Sequence, residues 1–163
     1  MEFTKQHIKT CVVACIINDA DQVLLTRRCI EPFCSQWVMP GGKIDHGEAI
    51  LAALHREVRE EIGLEVHVEQ LIDVYEHLAI GSGQDHYVIL YYRCAPTSFD
   101  LAPNGSECTE AIWADRDQLT TMLLPPGCRH ILAQVFPDLP WGVTAPPEDA
   151  ASELPDQLQL QGA

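Results

Sequence analysis

The strongest constraint on this chain is a glycine-rich turn that leads into an acidic helix, between Gly41 and Leu64. Glu57, Glu60 and Glu61 stand at positions i, i+3 and i+4, a spacing that places side chains on one helix face. Like charges at this spacing cost roughly a few tenths of a kcal/mol per pair, a penalty that a bound cation would offset. Mg²⁺ and Mn²⁺ prefer carboxylate oxygens and also bind substrate phosphates. The segment therefore predicts a metal site that hydrolyses phosphoanhydrides.

An acidic helix face can also be an ordinary solvated surface. Arg56 and Glu60 have the i, i+4 spacing of an exposed ion pair, so some of this charge could be surface charge. The adjacent glycines Gly41 and Gly42 favour the metal site, because glycine allows the backbone to approach a ligand closely.

The segment as a whole resembles the Nudix box, the sequence motif of the Nudix hydrolase family. Its seven fixed positions are filled without a departure, by Gly42, Glu48, Arg56, Glu57, Glu60, Glu61 and Gly63, and the aliphatic positions by Val58 and Leu64. The resemblance extends over most of residues 8–136. It implies an α+β fold, the Nudix-type α/β/α sandwich with a mixed β-sheet and the catalytic loop-helix Gly42–Leu64.

The resemblance also implies roles for residues of the motif. Glu60 and Glu61 are expected to bind the metal ion, together with the backbone carbonyl of Gly41. Glu57 is expected either to bind the metal or to act as the general base, because family members differ on this point.

Further residues complete the predicted site. Glu48 is expected to pair with Arg56, and Arg56 to orient the glutamates rather than touch substrate, although a purely structural salt bridge stays open. A last metal ligand is expected from a downstream loop. Its spacing to the following tryptophan favours Glu107, with Glu110 as the alternative. The predicted catalytic residues are Glu48, Arg56, Glu57 and Glu60.

Cations near the expected cleft would bind substrate phosphates, and the candidates are Arg27, Arg28 and Lys43. Strand alternation places Arg27 and Arg28 on opposite faces, so one of the two is expected to meet phosphate. The implied reaction is Mg²⁺-dependent hydrolysis of a nucleoside diphosphate linked to a group X, with Mn²⁺ as a substitute ion. A nucleoside or deoxynucleoside triphosphate is the favoured substrate, with NMP and pyrophosphate as products.

Other functions stay open. A nucleotide-sensing domain without turnover and a hydrolase of nucleotide sugars or ADP-ribose share this fold. Isopentenyl diphosphate isomerases share it too, but they need a modified motif and a catalytic cysteine. The segment Pro125 to Arg129 lacks the asparagine with which MutT-like enzymes read a purine, so selectivity for oxidised guanine is not predicted.

Composition restricts the partners. The 24 acidic and 10 basic residues give a formal charge of -14, which repels nucleic-acid backbones and anionic membranes. Seven cysteines without a C-x-x-C pair favour a reducing compartment. Without a signal-peptide pattern at the N-terminus, the expected location is the cytoplasm. The expected partner is a small-molecule nucleotide, with neither nucleic acid nor membrane, and a homodimer is left open.

Hydrophobic patterning divides the chain into a domain at residues 1–136 and a Pro- and acid-rich tail at 137–163, expected to be poorly ordered. Predicted strands cover 10–17, 22–28, 37–39, 64–75, 86–94 and 110–115. Predicted helices cover 48–62, 117–123 and 129–135. The apolar stripe of the first helix is predicted as Ile50, Leu51, Leu54, Val58 and Ile62.

Overall fold

A computed structural model describes residues 7–31, 33–78 and 85–142 of the chain. Over these ranges it contains seven strands and three helices. In chain order they are β1 Lys9–Ile16, β2 Val23–Arg28, β3 Trp37–Val38, β4 Gly41–Lys43, α1 Ile50–Ile62, β5 Val66–Leu78, β6 His86–Pro96, β7 Cys108–Ala114, α2 Arg116–Leu119 and α3 Pro126–Val135.

The strands form two sheets. The larger has the order β4-β1-β6-β5, in which β1 runs parallel to β6 and the other pairs are antiparallel. The smaller has the order β3-β2-β7 and is antiparallel. Strand β1 is central, as its apolar β-branched sequence predicts.

The two faces of β1 belong to two separate cores. Val12, Ala14 and Ile16 point to one face and pack with the buried side of α1. Cys15 on the other face joins a second cluster that includes residues of the smaller sheet and of α3. Helices therefore cover the sheets from both sides, and the predicted α/β/α sandwich is confirmed.

Helix α1 begins at Ile50, two residues later than predicted, and ends at Ile62, with Gly63 as its C-cap. Gly63 adopts a left-handed φ of 67°, and its N–H bonds the carbonyl of Arg59 at 3.0 Å. The predicted apolar stripe is wrong in its first turn. Ile50 and Leu51 are 40% and 42% exposed, because the buried face starts one turn later, with Ala53 and Leu54.

Other element boundaries also differ from the prediction. The glycines expected to form only a turn make the edge strand β4, in which Gly41 pairs with Val13 of β1. Strand β5 continues to Leu78, and α2 is a single turn. Residues 79–83, which join the predicted strands at 64–75 and 86–94, lie outside the described residues.

The described chain continues to pack beyond residue 136. Leu139 and Trp141 contact the second core, and the indole N–H of Trp141 donates to the carbonyl of Phe136 at 2.7 Å. The domain boundary at 136 stays a prediction, and residues after 142 lie outside the described part. No described helix is long and apolar enough to span a membrane.

The corrected face of α1 can be tested with a matched pair of leucines. Leu54 is fully buried and Leu51 is 42% exposed. Leu54→Ala should lower the free energy of unfolding by about 2–5 kcal/mol, because it leaves a cavity in the core. Leu51→Ala should cost less than about 1 kcal/mol. Urea denaturation measures both, and equal losses would contradict the assigned face.

Candidate active site

Three carboxylates from two segments meet beside the glycine strand β4. Glu57 and Glu61 project from α1, and Glu107 comes from the loop before β7. One oxygen of each lies within 4.8 Å of the others. Glu57 and Glu61 are only 8% and 6% exposed, so two of the three carboxylates are almost completely removed from solvent. These residues are called the carboxylate cluster below.

The glycines make this approach possible. The N–H of Gly41 donates to Oε2 of Glu61 at 3.2 Å. A Cβ on Gly42 would lie 2.4 Å from the carboxyl carbon of Glu57, and one on Gly41 would lie 2.3 Å from a β1 carbonyl oxygen. A side chain at position 42 would push Glu57 away, and a side chain at position 41 would separate β4 from β1. The Gly41 carbonyl as a metal ligand stays a prediction.

Burial and mutual repulsion change how these acids hold protons. Burial, and after it the negative charges of Glu57 and Glu107, together raise the pKa of Glu61 to about 9. Burial also raises the pKa of Glu57 above its ordinary value, and the opposing effect of the neighbouring Arg56 offsets only part of this rise. Three carboxylate oxygens in a partly dry site are the donor set that Mg²⁺ and Mn²⁺ prefer. The cluster therefore fits the predicted metal.

Arg56 holds the glutamates in place with all of its donors. Its Nε and Nη2 bond both oxygens of Glu48 at 2.7 and 2.8 Å, and Nη1 bonds Glu57 at 2.9 Å. The remaining N–H groups reach Glu60 at 3.3 Å and the carbonyl of Lys43 at 3.2 Å. A guanidinium has five N–H groups, and five bonds are made here. This agrees with an orienting role for Arg56 rather than substrate contact.

The other two acids paired with Arg56 lie outside the cluster. The hydrogen bonds from Arg56 lower the pKa of Glu48 to about 2, so Glu48 is a permanent anion that anchors the guanidinium. The Glu60 side chain is 54% exposed and contacts Arg56. The structure thus groups Glu57 and Glu61 with Glu107, and Glu60 as a metal ligand stays a prediction.

Of the two downstream candidates, Glu107 reaches the cluster and Glu110 does not. Glu110 sits 3.9 Å from Arg27 on the smaller sheet. The Glu107 loop is held by Asn104, whose Oδ1 accepts the N–H groups of Ser106 and Glu107 at 3.0 Å. The N–H of Asn104 also bonds the carbonyl of Glu61, at 2.9 Å. The sequence reasoning missed Asn104, which an Asn-Gly-Ser turn before a strand could have indicated.

A cleft opens beside the cluster, with about 1060 Å³ of space that is partly open to solvent. Glu61, Glu107 and the glycines of β4 line it, together with Arg28 and Lys43. Arg27 is not among its lining residues. The prediction that strand alternation separates the two arginines agrees with this arrangement.

Another part of the cleft is lined by aromatic and apolar residues, which the sequence reasoning also missed. On one face of the larger sheet, Ile89 pairs with Cys11 and Tyr75, and Tyr87 pairs with His77. All five line the cleft. Alternating aromatic residues in two adjacent strands are the signal that could have indicated this surface.

Comparison with known proteins agrees with the site. Residues 7–139 match the NUDIX domain family. The chain belongs to the Nudix hydrolase family. Its relatives include a MutT-like protein and enzymes whose names specify nucleotide substrates.

Two relatives and one solved structure illustrate the match. The 8-oxo-dGDP phosphatase NUDT18 of Homo sapiens is 30% identical over 78% of this chain but only 39% of its own length. The Nudix hydrolase YvcI of Bacillus subtilis (strain 168) is 32% identical over 74% of this chain and 75% of its own. The MutT NUDIX hydrolase structure from Burkholderia pseudomallei is 26% identical, with a TM-score of 0.70 over 80% of this chain and 99% of its own.

The raised pKa of Glu61 predicts a stability cost that grows with pH. Between its ordinary pKa of 4.5 and about 9, the folded state keeps a proton that the unfolded state releases, so stability falls as pH rises. Glu61→Gln removes this dependence. In chelator, its melting temperature should exceed that of wild type by about 2–4 °C at pH 8, with a smaller difference at pH 5. Mg²⁺ should stabilise wild type more than the variant. A melting-temperature difference that does not change with pH would contradict this assignment.

Proposed function

We propose that this chain hydrolyses a phosphoanhydride bond in a nucleoside diphosphate linked to a group X, with a nucleoside or deoxynucleoside triphosphate as the favoured substrate. The observation that carries the proposal is the carboxylate cluster, with oxygens within 4.8 Å, at the margin of a cleft that also contains Arg28 and Lys43. Acids that hold a cation, next to basic residues that bind phosphate, suit a polyphosphate substrate.

The cofactor is proposed to be Mg²⁺, with Mn²⁺ as a substitute. Glu61 and Glu107 would hold it, with the Gly41 carbonyl and Glu60 as the further predicted ligands, and Glu57 would either bind it or serve as the general base. When bound, the ion would neutralise phosphate charge and acidify a water molecule.

Glu57 is our candidate for the general base. Burial raises the pKa of its carboxyl, and a base is more effective when its pKa lies closer to the working pH. Its Oε1 accepts the hydrogen bond from Arg56 at 2.9 Å, which fixes the carboxylate and leaves Oε2 for a water proton. Lys43 and Arg28 would bind the substrate phosphates. Arg56 acts through the glutamates that it holds.

Covalent catalysis by a cleft cysteine is disfavoured. Cys11, Cys108 and Cys128 line the cleft. Burial raises the pKa of Cys11 and of Cys108, and it raises that of Cys128 to about 11. All three are therefore neutral thiols near pH 7, and the thiolate is the nucleophilic form. The mechanism that remains is direct attack by water on an internal phosphorus. From a triphosphate this attack gives NMP and pyrophosphate.

Net charge, cysteine usage and exposed apolar residues support proposals about the substrate class, the location and the self-association of the protein. A formal charge of -14 suits a small-molecule substrate rather than nucleic acid, and cysteine usage suits the cytoplasm. Leu71, Val74 and Leu78 of the edge strand β5 are 45–58% exposed. Exposed apolar side chains on an edge strand favour self-association, so a homodimer stays a prediction.

Products and metal dependence test the proposed reaction together. With Mg²⁺ and a panel of nucleotides, hydrolysis should release NMP, and pyrophosphate from triphosphates, and EDTA should abolish it because the charge on the phosphates is no longer neutralised. In ¹⁸O-water the label should enter a single product phosphate. Mass spectrometry of the products measures both.

The panel should include nucleotide sugars and ADP-ribose, which test the alternative hydrolase. Release of orthophosphate from a triphosphate, or full activity in chelator, would contradict the mechanism. Tight nucleotide binding without turnover of any compound would instead support the nucleotide-sensing alternative.

A further inference from the structure

Three aromatic rings form a continuous group in the cleft, away from the carboxylate cluster. The centroids of Phe33 and His77 are 5.7 Å apart in an edge-to-face arrangement, and those of His77 and Tyr87 are 6.3 Å apart. All three residues line the cleft and are half-buried. They are called the aromatic slot below.

Phe33 reaches the slot in a strained conformation. Its φ of 66° is unusual for a bulky residue without glycine's freedom. The loop is fixed by backbone bonds from Ser35 to the carbonyl of Arg28 at 2.7 Å and from Gln36 to that of Phe33 at 3.0 Å. Strain that the surrounding structure maintains is often found at ligand-binding positions. Here it holds an aromatic ring across from β5.

The slot lies at a suitable distance from the carboxylate cluster. His77 is on β5 and Gly41 is on β4, the two edges of the larger sheet. Three strand spacings separate them across the sheet, about 14 Å, and His77 lies four residues beyond Asp73, the residue level with Gly41, which adds about 13 Å along the strand. A nucleotide with its phosphates beside Gly41 and Lys43 can therefore extend its base toward the slot, along the face formed by Cys11, Ile89 and their neighbours.

The slot offers stacking surfaces, and the hydrogen-bonding groups on its rings are the imidazole of His77 and the hydroxyl of Tyr87, which donates to Asp85 at 3.4 Å. Burial lowers the pKa of His77, so its ring is uncharged near pH 7. Among the described lining residues there is no asparagine, glutamine or aspartate. Aromatic stacking accepts every base, because every base has a π-face.

We propose that Phe33, His77 and Tyr87 bind the nucleobase of the substrate by stacking, and that the site therefore accepts several bases, with purines bound more tightly than pyrimidines. This inference rests on the proposed nucleotide substrate. It assigns the breadth of substrate use to residues outside the Nudix motif.

Equilibrium binding tests the slot independently of turnover. Isothermal titration calorimetry of the full chain with Mg²⁺ would use AMP, GMP, CMP and UMP, with ribose 5-phosphate as the ligand without a base. The four nucleotides should fall within about 100-fold of one another, because apolar pockets discriminate weakly between related ligands. Ribose 5-phosphate should bind more weakly than any of them.

Variants then separate stacking from folding. Phe33→Ala should weaken nucleotide binding by about 10-fold or more and leave ribose 5-phosphate binding unchanged. Phe33→Trp should retain binding, because it keeps a π-face. The control is Phe99→Ala, since Phe99 is an exposed aromatic residue that packs on Trp113 and does not line the cleft.

His77→Phe tests whether the slot reads bases through hydrogen bonds. If stacking is its function, the variant should bind all four nucleotides within about 3-fold of wild type, a change well below that of losing a hydrogen bond to a base. Selective loss of one base in His77→Phe, or a spread of about 10⁴ among nucleotides in wild type, would overturn base tolerance. Equal weakening of ribose 5-phosphate by Phe33→Ala would overturn stacking. Failure to hydrolyse any nucleotide would count against the proposed reaction and leave these binding results interpretable.

Discussion

The structure depends on bringing three carboxylates together at a place where two of them are almost fully buried. Glu57 and Glu61 would favour an exposed helix face, yet they lie on the buried side of α1, against β4. Burial, together with the negative charges of Glu57 and Glu107, raises the pKa of Glu61 to about 9. The buried carboxylates lower the stability of the folded state when no cation is bound, and a bound cation would remove this loss. A loss of stability of this kind is expected at a site that is retained for function.

Two sets of hydrogen bonds maintain this arrangement. Arg56 commits all five of its donors and connects Glu48 and Glu57 with the backbone of β4. Asn104 connects the Glu107 loop with the C-terminal end of α1. The carboxylates are therefore fixed from the helix side and from the loop side, which is the preorganisation that a metal site needs.

The sequence predicts much of the fold and part of the site, for separate physical reasons. The i, i+4 spacing of Glu57 and Glu61 is local, so their common helix face could be predicted without tertiary information. Their burial could not, because it depends on the close approach of β4. The extended form of Gly41 to Lys43 was missed for a similar reason: its hydrogen bonds are made with β1, about 30 residues away.

The remaining site residues depend on loops and on tertiary packing. Glu107 could be chosen only by spacing, because its position relative to α1 is set by Asn104. The aromatic slot joins Phe33 with His77 and Tyr87, which are both more than 40 residues away along the chain. Local periodicity carries no information on contacts of that kind.

The central claim, that the carboxylate cluster is the metal site, is tested most directly by Mn²⁺ binding. Electron paramagnetic resonance would follow titration of Mn²⁺ into wild type, Glu107→Gln and Glu110→Gln. These two acids lie three residues apart, and only Glu107 belongs to the cluster. Wild type and Glu110→Gln should bind with the same affinity, and Glu107→Gln at least about 10-fold more weakly. Unchanged affinity in Glu107→Gln, or a loss in Glu110→Gln, would contradict the assignment.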